Sequence, residues 1–295
     1  DVIKTMKDSD VPKFEIQNGI LVYIKDKCTA NEIKWLTDVG VKEKSNIPIY
    51  SYDKPIIPIG FTYKEGTWDT GYVIVDSKDN EFVWVPIDGT NVKYEKNLTY
   101  PGAQINILDD KLPVGVSNEQ EQIINYGGFY IARYEAGKET SDVLVSKKGR
   151  NVWNNINYTD SKIKAEAMYT TVEVKSGLVT GTMWDSIMKW ISNSSKSVLD
   201  STSWGNYINS VAPANVVGCR SLQTTGFTEE WKIKNIYDIA GNAWEWTNEI
   251  CNTYRINRGG VYGASGLDYP ASSRADNDVP CSYDGLSYRI ALYIK

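Results

Sequence analysis

The sequence contains no histidine among its 295 residues. Histidine is the usual proton shuttle at neutral pH, the base of Ser-His-Asp and Cys-His sites, and a common zinc ligand. Its absence excludes these kinds of catalysis and every His-ligated metal site. Cysteine is also scarce, and the four residues Cys28, Cys219, Cys251 and Cys281 are too scattered for a zinc knuckle or a CxxC redox motif.

Two further absences limit the class of partner. The formal net charge is -5, which argues against a generic binder of nucleic acid phosphates, so we expect no nucleic acid partner. No apolar run approaches the roughly 18–20 residues of a membrane span, so we expect no direct membrane insertion by these residues. Hydrophobic residues make up 41% of the chain, enough for a globular core.

The first part of the chain, residues 1–54, is predicted to form a small unit followed by a proline-rich linker. The sequence Asn18–Ile24 is typical of a strand, and Thr29–Gly40 of a helix that Thr29 caps with Glu32 three residues on. Ile33, Leu36 and Val39 recur at helical spacing and should share one face. The stretch from Lys42 to Gly60 has three prolines and little periodicity, which predicts a stiff linker or an arm lying on the next domain.

Residues 55–295 are predicted to form one larger α+β domain with much irregular backbone. Thr70–Ile87 contains two alternating apolar runs around a polar turn, which indicates a hairpin. Ser117–Gly137 indicates a short helix that breaks at two glycines into a strand. Thr180–Ser195 carries apolar residues at intervals of three and four, the pattern of an amphipathic helix.

Two motifs carry a family resemblance. The segment NIYDIAGNAWEWTNE runs from Asn235 to Glu249, Arg258-Gly259-Gly260 follows, and SYRIALY stands near the chain end. Together they resemble the domain of formylglycine-generating enzymes, a variant of the C-type lectin fold whose members carry GNVWEWT, RGG and GFRxA motifs. FYIARYEAG resembles the early strand of that family and TGTMWDSIMKWI its main helix. The resemblance covers Gly60 to Lys295 and implies a C-type lectin fold.

The tryptophan motif has a physical meaning of its own. Trp244 and Trp246 are two residues apart, so on an extended segment they point to one side and Glu245 to the other. The resemblance implies that Asn242 and Glu245 could hold a structural calcium ion. The alternative is that Glu245 pairs with an arginine such as Arg258 or Arg289 without a metal. Arg289 is expected to tie the chain end to the core, and no cofactor is required.

The resemblance does not extend to the family's oxidase chemistry. That activity needs two closely spaced cysteine thiolates after the RGG motif to bind copper. Here Ala264 and Asp268 or Tyr269 stand where those cysteines are expected, and Cys281 is much further along. Cys251 and Cys281 could instead form a disulfide or remain unpaired. We therefore predict that the protein is not an enzyme, with an oxidase as the remote alternative.

The segment between the RGG motif and the last strand is predicted to be a ligand-binding surface. Its tyrosines and small polar residues match the composition of antibody paratopes. From Val261 to Ile290 there is no Lys, Glu, Gln, Met or Trp, the residues that an AAC codon randomised at its adenines does not encode. This pattern resembles the variable proteins of diversity-generating retroelements. The candidate ligand-binding residues are Tyr262, Leu267, Asp268, Tyr269, Ala275, Asp276, Asn277, Asp278, Tyr283, Asp284 and Leu286.

These observations predict a binding protein displayed outside the cell, at the cell surface or on a virion. The expected partner is a host or bacterial surface protein or glycan, with immunoglobulin among the candidates. A structural adhesin or pilin-tip subunit and a phage receptor-binding subunit are the alternative functions. All three predict recognition at an exposed surface, and none names the ligand.

Overall fold

The computed structural model describes residues 14–17, 20–44, 51–88, 122–123, 125–211 and 221–295. Within these residues, short helices accompany five small sheets that are mostly antiparallel, and long loops connect them. This arrangement confirms the predicted α+β class and the loop-rich character. No helix in the described part of the chain is long and apolar enough to cross a membrane.

The first sheet belongs to the N-terminal unit. Its strands are β1 (Phe14–Gln17), β2 (Ile20–Tyr23) and β3 (Lys42–Glu43), and the helix α1 (Ala30–Asp38) lies between β2 and β3 in the chain. Thr29 and Glu32 form the predicted capping box. Leu36 is fully buried, whereas Val39 is 51% exposed because α1 ends one residue earlier. The apolar face of this helix therefore ends before Val39, although the spacing of the apolar residues in the sequence had included Val39.

The largest sheet has six strands in the order β11-β18-β7-β6-β5-β4. Their bounds are β4 Phe61–Glu65, β5 Val73–Asp76, β6 Glu81–Pro86, β7 Gly128–Ala132, β11 Val174–Leu178 and β18 Ile290–Ile294. The hairpin β5–β6 and the strand after the double glycine were both predicted. The helix predicted before β7 lies largely outside the described residues.

This six-stranded sheet separates two hydrophobic cores. Successive side chains of a strand point to opposite faces, so Val83 and Val85 of β6 enter the first core while Phe82 and Trp84 enter the second. The chain also forms the helix α2 (Tyr158–Ala167) and the helix α3 (Gly181–Ser192). Helix α2 was not predicted, because its apolar residues do not follow a helical period.

Helix α3 covers the first core. Its N-terminus is capped by Thr180, whose side chain accepts from the Met183 amide at 3.1 Å. Met183, Trp184 and Ile187 are fully buried in that core. The predicted amphipathic helix is therefore confirmed, with its end three residues earlier than the pattern indicated.

A four-stranded sheet, in the order β16-β15-β14-β17, contains the sequence motifs. Its strands are β14 (Trp244–Cys251), β15 (Tyr254–Arg258), β16 (Arg274–Asn277) and β17 (Leu286–Tyr288). β14 pairs in parallel with β17 and antiparallel with β15, and β16 forms an edge. Trp244, Trp246 and Tyr288 from this sheet pack into the second core.

The remaining strands form two small sheets. They are β8 (Gly137–Glu139), β9 (Val143–Val145) and β10 (Asn151–Val152) in one sheet, and β12 (Lys232–Ile233) with β13 (Ile236–Tyr237) in the other.

The proline-rich stretch lies on the larger domain from Ser51 onward. The Trp84 indole Nε1 donates to the Tyr52 carbonyl at 2.9 Å, and the Tyr130 hydroxyl donates to the Ile56 carbonyl at 2.8 Å. Tyr52 also packs its ring against Trp68 with centroids 5.3 Å apart. Of the two predicted alternatives, the described residues from Ser51 onward form an arm that lies on the next domain rather than a stiff linker.

Candidate binding face

The RGG turn is fixed by backbone conformations that favour glycine. Gly259 and Gly260 have φ values of +97° and +83°. A Cβ atom on Gly260 would stand 2.2 Å from the Tyr269 carbonyl oxygen. The Tyr207 hydroxyl donates to the Gly259 carbonyl at 2.8 Å. The turn is therefore specified both by its own angles and by close contact with two other loops.

Arg258 belongs to a buried cluster of four charged residues. Its Nη2 donates to Asp185 Oδ1 at 2.8 Å, and its Nη1 to Glu249 Oε2 at 3.3 Å. Arg274 pairs with the same two carboxylates, contacting Asp185 and donating to Glu249 at 3.0 Å. Each charge in the cluster is thus offset by two of opposite sign. Such a cluster fixes the position of β16 relative to α3 and β14, since removing one member would leave an uncompensated charge among the remaining three.

The segment after the RGG turn is not one continuous variable surface. Residues 270–274 in its middle are buried, and two buried side chains hold their backbone: the Trp184 Nε1 donates to the Ala271 carbonyl at 2.9 Å and the Arg258 Nε to the Ser273 carbonyl at 3.0 Å. The segment therefore consists of two stretches that reach the surface, residues 261–269 and residues 275–285, separated by a buried tether. The second stretch begins with residues 275–277 of the edge strand β16 and continues as a loop. We call these two stretches the two surface loops. No local sequence pattern indicates this tether, apart from the absence of candidate residues within it.

Ten of the eleven predicted ligand-binding residues lie in these two loops and reach the surface. Five are exposed, namely Leu267, Asp268, Asp276, Asp278 and Asp284. Five are half-buried, namely Tyr262, Tyr269, Ala275, Asn277 and Tyr283. We refer to these ten residues as the C-terminal face.

Leu286 is the exception, and the prediction that it contacts ligand is corrected. It is fully buried in β17, where it pairs with Trp244 of β14 and packs in the second core. The strand β17 begins at Leu286, one residue before the SYRIALY motif, and all three of its residues are buried. Leu286 therefore belongs to the buried support of the face.

The two loops meet where Tyr262 of the first loop lies beside Tyr283 and Asp284 of the second. The Tyr262 hydroxyl donates to Asp284 Oδ2 at 2.9 Å, which joins the first loop to the second. Tyr283 packs against the second core beside Val261, and a Cβ on Gly285 would stand 2.8 Å from the Val261 side chain. Burial raises the pKa of Tyr262, with a further contribution from the Asp284 carboxylate, so the phenol remains a hydrogen-bond donor at neutral pH.

The other half-buried tyrosine of the face is anchored separately. The Tyr269 ring stands edge-on to Trp244, with centroids 6.0 Å apart and planes at 89°. Burial is also the first cause that raises the pKa of Tyr283, to about 12. Tyr269 and Tyr283 are thus half-buried and pack on the second core while the rest of each side chain faces solvent.

The tip of the first loop is held by residues that the sequence analysis missed. Ser265 Oγ accepts from the amides of Leu267 and Asp268 at 3.2 and 3.3 Å. Asn209 Oδ1 accepts from the Gly266 amide at 2.9 Å. Leu267 is left 60% exposed at this tip. A supporting loop before the RGG motif has no sequence signature of its own, which is why Asn209 was not identified.

Cys281 lies in the second loop as a free thiol, so the structure does not join it to Cys251. Its Sγ is 3.4 Å from Asn277 Oδ1, a residue of the face. Burial raises the pKa of this thiol, with Asp278 adding to the shift. A raised pKa disfavours the thiolate, which is the form that binds copper or acts as a nucleophile.

Beneath the face, Glu245 forms the ion pair that the sequence left as an alternative to calcium. Arg289 Nη2 donates to Glu245 Oε1 at 2.6 Å and its Nε to Oε2 at 2.9 Å. Arg289 also donates to the carbonyls of Ala132 and Tyr237 at 3.1 and 2.9 Å. Both charged residues are buried, as expected for a residue that ties the chain end to the core.

The donor set around Asn242 and Glu245 does not fit a calcium ion. Asn242 Oδ1 accepts from Asn206 Nδ2 at 2.8 Å and from the Gln223 amide at 2.9 Å. The Asn242 Nδ2 donates to Glu135 Oε2 at 2.7 Å. The guanidinium of Arg289 engages both oxygens of Glu245, so positive charge already occupies the place of a cation. Among the described residues, no group of three or more Cys, Asp or Glu is arranged to hold a metal.

Two more buried carboxyl groups accompany Glu245. Burial raises the pKa of Asp238 to about 7, while a hydrogen bond from the Gly226 amide and the charge of Arg289 oppose that rise. Burial also raises the pKa of Glu135 well above its ordinary value, with the charges of Asp238 and Glu245 adding to the shift. Three acidic groups thus share one arginine, which makes this region sensitive to pH.

Comparisons with known proteins give distant structural similarities. No family model matches the chain, and no curated protein matches it. The solved structures similar to it include PvdO from Pseudomonas aeruginosa, at 13% identity and a TM-score of 0.48, covering 81% of this chain and 100% of the other. CarF matches at 13% identity and a TM-score of 0.43, covering 73% of this chain and 99% of the other. Treponema denticola variable protein 1 matches at 12% identity and a TM-score of 0.31, with 80% and 92% covered. At such TM-scores, the function must be inferred from the residues of this chain.

Proposed function

We propose that this protein is a non-enzymatic binding protein that displays the C-terminal face to a surface protein or glycan outside the cell. We further propose that its larger domain is a C-type lectin fold of the formylglycine-generating-enzyme type. The motifs support this assignment because GNAWEW, RGG and the closing strands form one connected structural unit. Non-enzymatic binding is the function that the residues of the two loops support best.

The observation that carries the proposal is the separation between buried support and exposed loops. We call the support the frame, and it consists of residues 258–260, 270–274 and 286–289, which are buried throughout. Between these stretches the chain reaches the surface with tyrosine, aspartate and small residues. A rigid frame with chemically varied loops lowers the entropy cost of binding, because the loops are held before the partner arrives.

The chemistry of the face supports recognition by contact. Partly exposed tyrosines offer large, stiff and amphipathic surfaces, and aspartates add hydrogen-bond acceptors. The positions of Ala264, Asp268 and Tyr269 provide no thiolate for copper, and burial raises the pKa of the Cys281 thiol. These residues support binding rather than oxidation.

The missing residue types in Val261–Ile290 support diversification of this segment by a retroelement. In this proposal the exposed positions vary while the frame residues are retained. The gene would then have an adenine-rich near-copy of its 3′ end nearby. Sequencing that neighbourhood tests the diversification separately from binding.

Binding is tested with a panel of extracellular proteins, including immunoglobulin, and with a glycan array. The parent protein is compared with a variant in which Tyr262, Leu267, Asp268, Asp276 and Asp278 are replaced by alanine. We expect at least one panel member to bind the parent protein and not to bind the variant. A target set that is the same for both proteins, or no target for the parent, would contradict the proposal.

A further inference from the structure

A second concave surface shares no lining residue with the C-terminal face. It is a cleft of about 580 Å³, which lies within the range of roughly 300–1,000 Å³ that is usual for small-molecule sites. The turn between β5 and β6, the hairpin β8–β9 and the C-terminal end of α2 form its walls. Nothing in the proposed binding of a surface partner uses this cleft.

One side of the cleft is apolar. Leu144, Trp153, Met168 and Tyr169 line it, and all four pack on the second core. Because these side chains are supported from behind by close packing, the apolar wall is already formed without a ligand. A preformed apolar wall favours a ligand with an apolar body.

The deepest of the acidic groups in the cleft is satisfied by the protein itself. Asp76 Oδ1 accepts from the amides of Lys78 and Asn80 at 2.9 and 2.8 Å, and its Oδ2 accepts from the Tyr169 hydroxyl at 2.5 Å. Burial by itself would raise the pKa of Asp76, but the hydrogen bonds from Asn80 and Tyr169 outweigh it and lower the pKa overall. Asp76 is therefore ionised and already hydrogen-bonded at neutral pH.

The other two carboxylates that line the cleft are paired with basic residues. Glu139 Oε1 lies 2.9 Å from Lys147 Nζ and 3.1 Å from Arg150 Nε. Asp142 Oδ1 lies 2.6 Å from Lys138 Nζ. Both of these carboxylates therefore already have a basic partner.

Two lysines of the cleft form no direct salt bridge with a described carboxylate, although the charge of Lys164 contributes to lowering the pKa of Asp142. Lys78 is exposed on the turn between β5 and β6, and only its backbone amide is engaged. The Lys164 ammonium stands 4.3 Å from the centre of the Trp153 ring, on the apolar wall. Together with Lys138, Lys147 and Arg150, five basic side chains stand at the cleft against the three carboxylates Asp76, Glu139 and Asp142, so the charge around the cleft is positive. Lys164 places part of this positive charge beside the apolar surface.

From this distribution we propose that the cleft binds a small amphipathic organic anion. Its apolar body packs against Leu144, Trp153 and Met168, and its acidic group pairs with Lys78 and Lys164. The two lysines select for charge, and the preformed wall selects for an apolar body of modest size. A carboxylate and a sulfonate share this chemistry.

The test uses anilinonaphthalene sulfonate as a fluorescent probe and its neutral analogue phenylnaphthylamine as the matched control. The proteins are the full-length parent, the variants Lys78→Gln and Lys164→Gln, and Lys54→Gln, which changes an exposed lysine outside the cleft. Thermal melting of each protein establishes that it is folded.

We expect the parent to bind one sulfonate probe per chain and to bind the neutral analogue at least about threefold more weakly. Each cleft lysine variant should weaken sulfonate binding by about threefold to tenfold, which corresponds to one partly exposed ion pair. Lys54→Gln should bind like the parent.

Competition distinguishes the two kinds of acid. Octanoate should displace the probe, and octanol of the same chain length should not displace it at the same concentration. Displacement by neither would restrict the site to sulfonates and similar anions. The proposal fails if the parent binds no probe, if both probes bind equally, or if the cleft lysine variants match Lys54→Gln. None of these results bears on the C-terminal face, since the two sites share no residue.

Discussion

Tyr262 and Asp284 join the two loops of the C-terminal face through one hydrogen bond of 2.9 Å between the phenol and the carboxylate. The two residues are twenty-two positions apart in the chain, with the buried tether between them. This bond sets the spacing of the loops at the surface without contributing to either core. The relative position of the two loops therefore depends on this one hydrogen bond.

Replacing Tyr262 with phenylalanine removes that bond and retains the ring. We expect the free energy of unfolding to fall by less than about 1 kcal/mol, because a partly exposed hydrogen bond contributes little net stability. Urea denaturation of the variant and of Tyr254→Phe, a control in the neighbouring strand β15, measures this. A loss above about 2 kcal/mol would make Tyr262 a structural residue rather than part of a binding surface.

Trp246 tests the assigned core. Its side chain is fully buried, and its Nε1 donates to the Ile156 carbonyl at 3.0 Å. We expect Trp246→Ala to destabilise the protein by about 3–5 kcal/mol, the range for deleting a buried aromatic side chain. Melting is compared with that of Tyr254→Ala, a residue that is 39% exposed. If the two variants melt within a degree or two of each other, the motif does not form the core.

Asp238 predicts a specific dependence of stability on pH. Its pKa is about 7 in the folded protein and near 3.8 when unfolded. The folded state therefore holds this proton more tightly, and the stability it contributes is complete below about pH 4 and lost as the pH rises through 7. The charged groups around it are Arg289, Glu245, Glu135 and Lys148.

The variant Asp238→Asn keeps an oxygen for the Gly226 amide and suits the positive φ of 57° at this position. Relative to the parent, its melting temperature should rise between pH 5 and pH 8, since only the parent must ionise a buried carboxyl there. Asp79→Asn is the control, because Asp79 is exposed and also has a positive φ. Parallel pH curves for Asp238→Asn and the parent would show that another group dominates.

The sequence predicted the regular elements better than the surface. Capping residues and helical spacing indicated α1 and α3, and alternation indicated the hairpin β5–β6, because these signals are local. Helix α2 was missed since its residues do not form an apolar stripe. The burial of Leu286 depends on its pairing with Trp244, and the burial of the tether depends on Trp184 and Arg258. These partners are distant in the chain, and local patterns carry no such information.

Within the candidate site, the motifs indicated the buried tryptophans and the role of Arg289. The choice between calcium and an ion pair at Glu245 required three-dimensional contacts, because both alternatives use the same carboxylate. Asn209 and the cleft beside Trp153 were not identified. Their residues come from separate loops whose sequences have no shared pattern.

Catalysis provides an independent test of the non-enzymatic proposal. With no histidine in the chain and a raised pKa at the Cys281 thiol, we expect no copper-dependent oxidation of a cysteine-containing peptide. The protein is incubated with Cu(I), oxygen and peptide, and the product is followed by mass spectrometry. The variant Cys281→Ser serves as the control. Turnover by the parent that this variant lacks would assign an enzymatic role to Cys281.

The central claim is that recognition and folding reside in different residues of one segment. Three proteins are compared with the parent. The first is the five-residue alanine variant of the face described above. The second is a matched control set on other exposed positions: Tyr63→Ala, Val172→Ala, Asp26→Ala, Asp38→Ala and Asp69→Ala. The third is Gly260→Ala in the frame.

The most direct measurement is the dissociation constant for a partner identified with the panel or array, determined for all four proteins together with their melting temperatures. We expect the face variant to melt close to the parent, since surface changes cost less than about 0.5 kcal/mol each, and to lose binding by at least about a hundredfold. The control set should retain binding, and Gly260→Ala should melt markedly lower because its new Cβ meets the Tyr269 carbonyl at 2.2 Å. A face variant that binds like the parent, or that unfolds as Gly260→Ala does, would contradict the account.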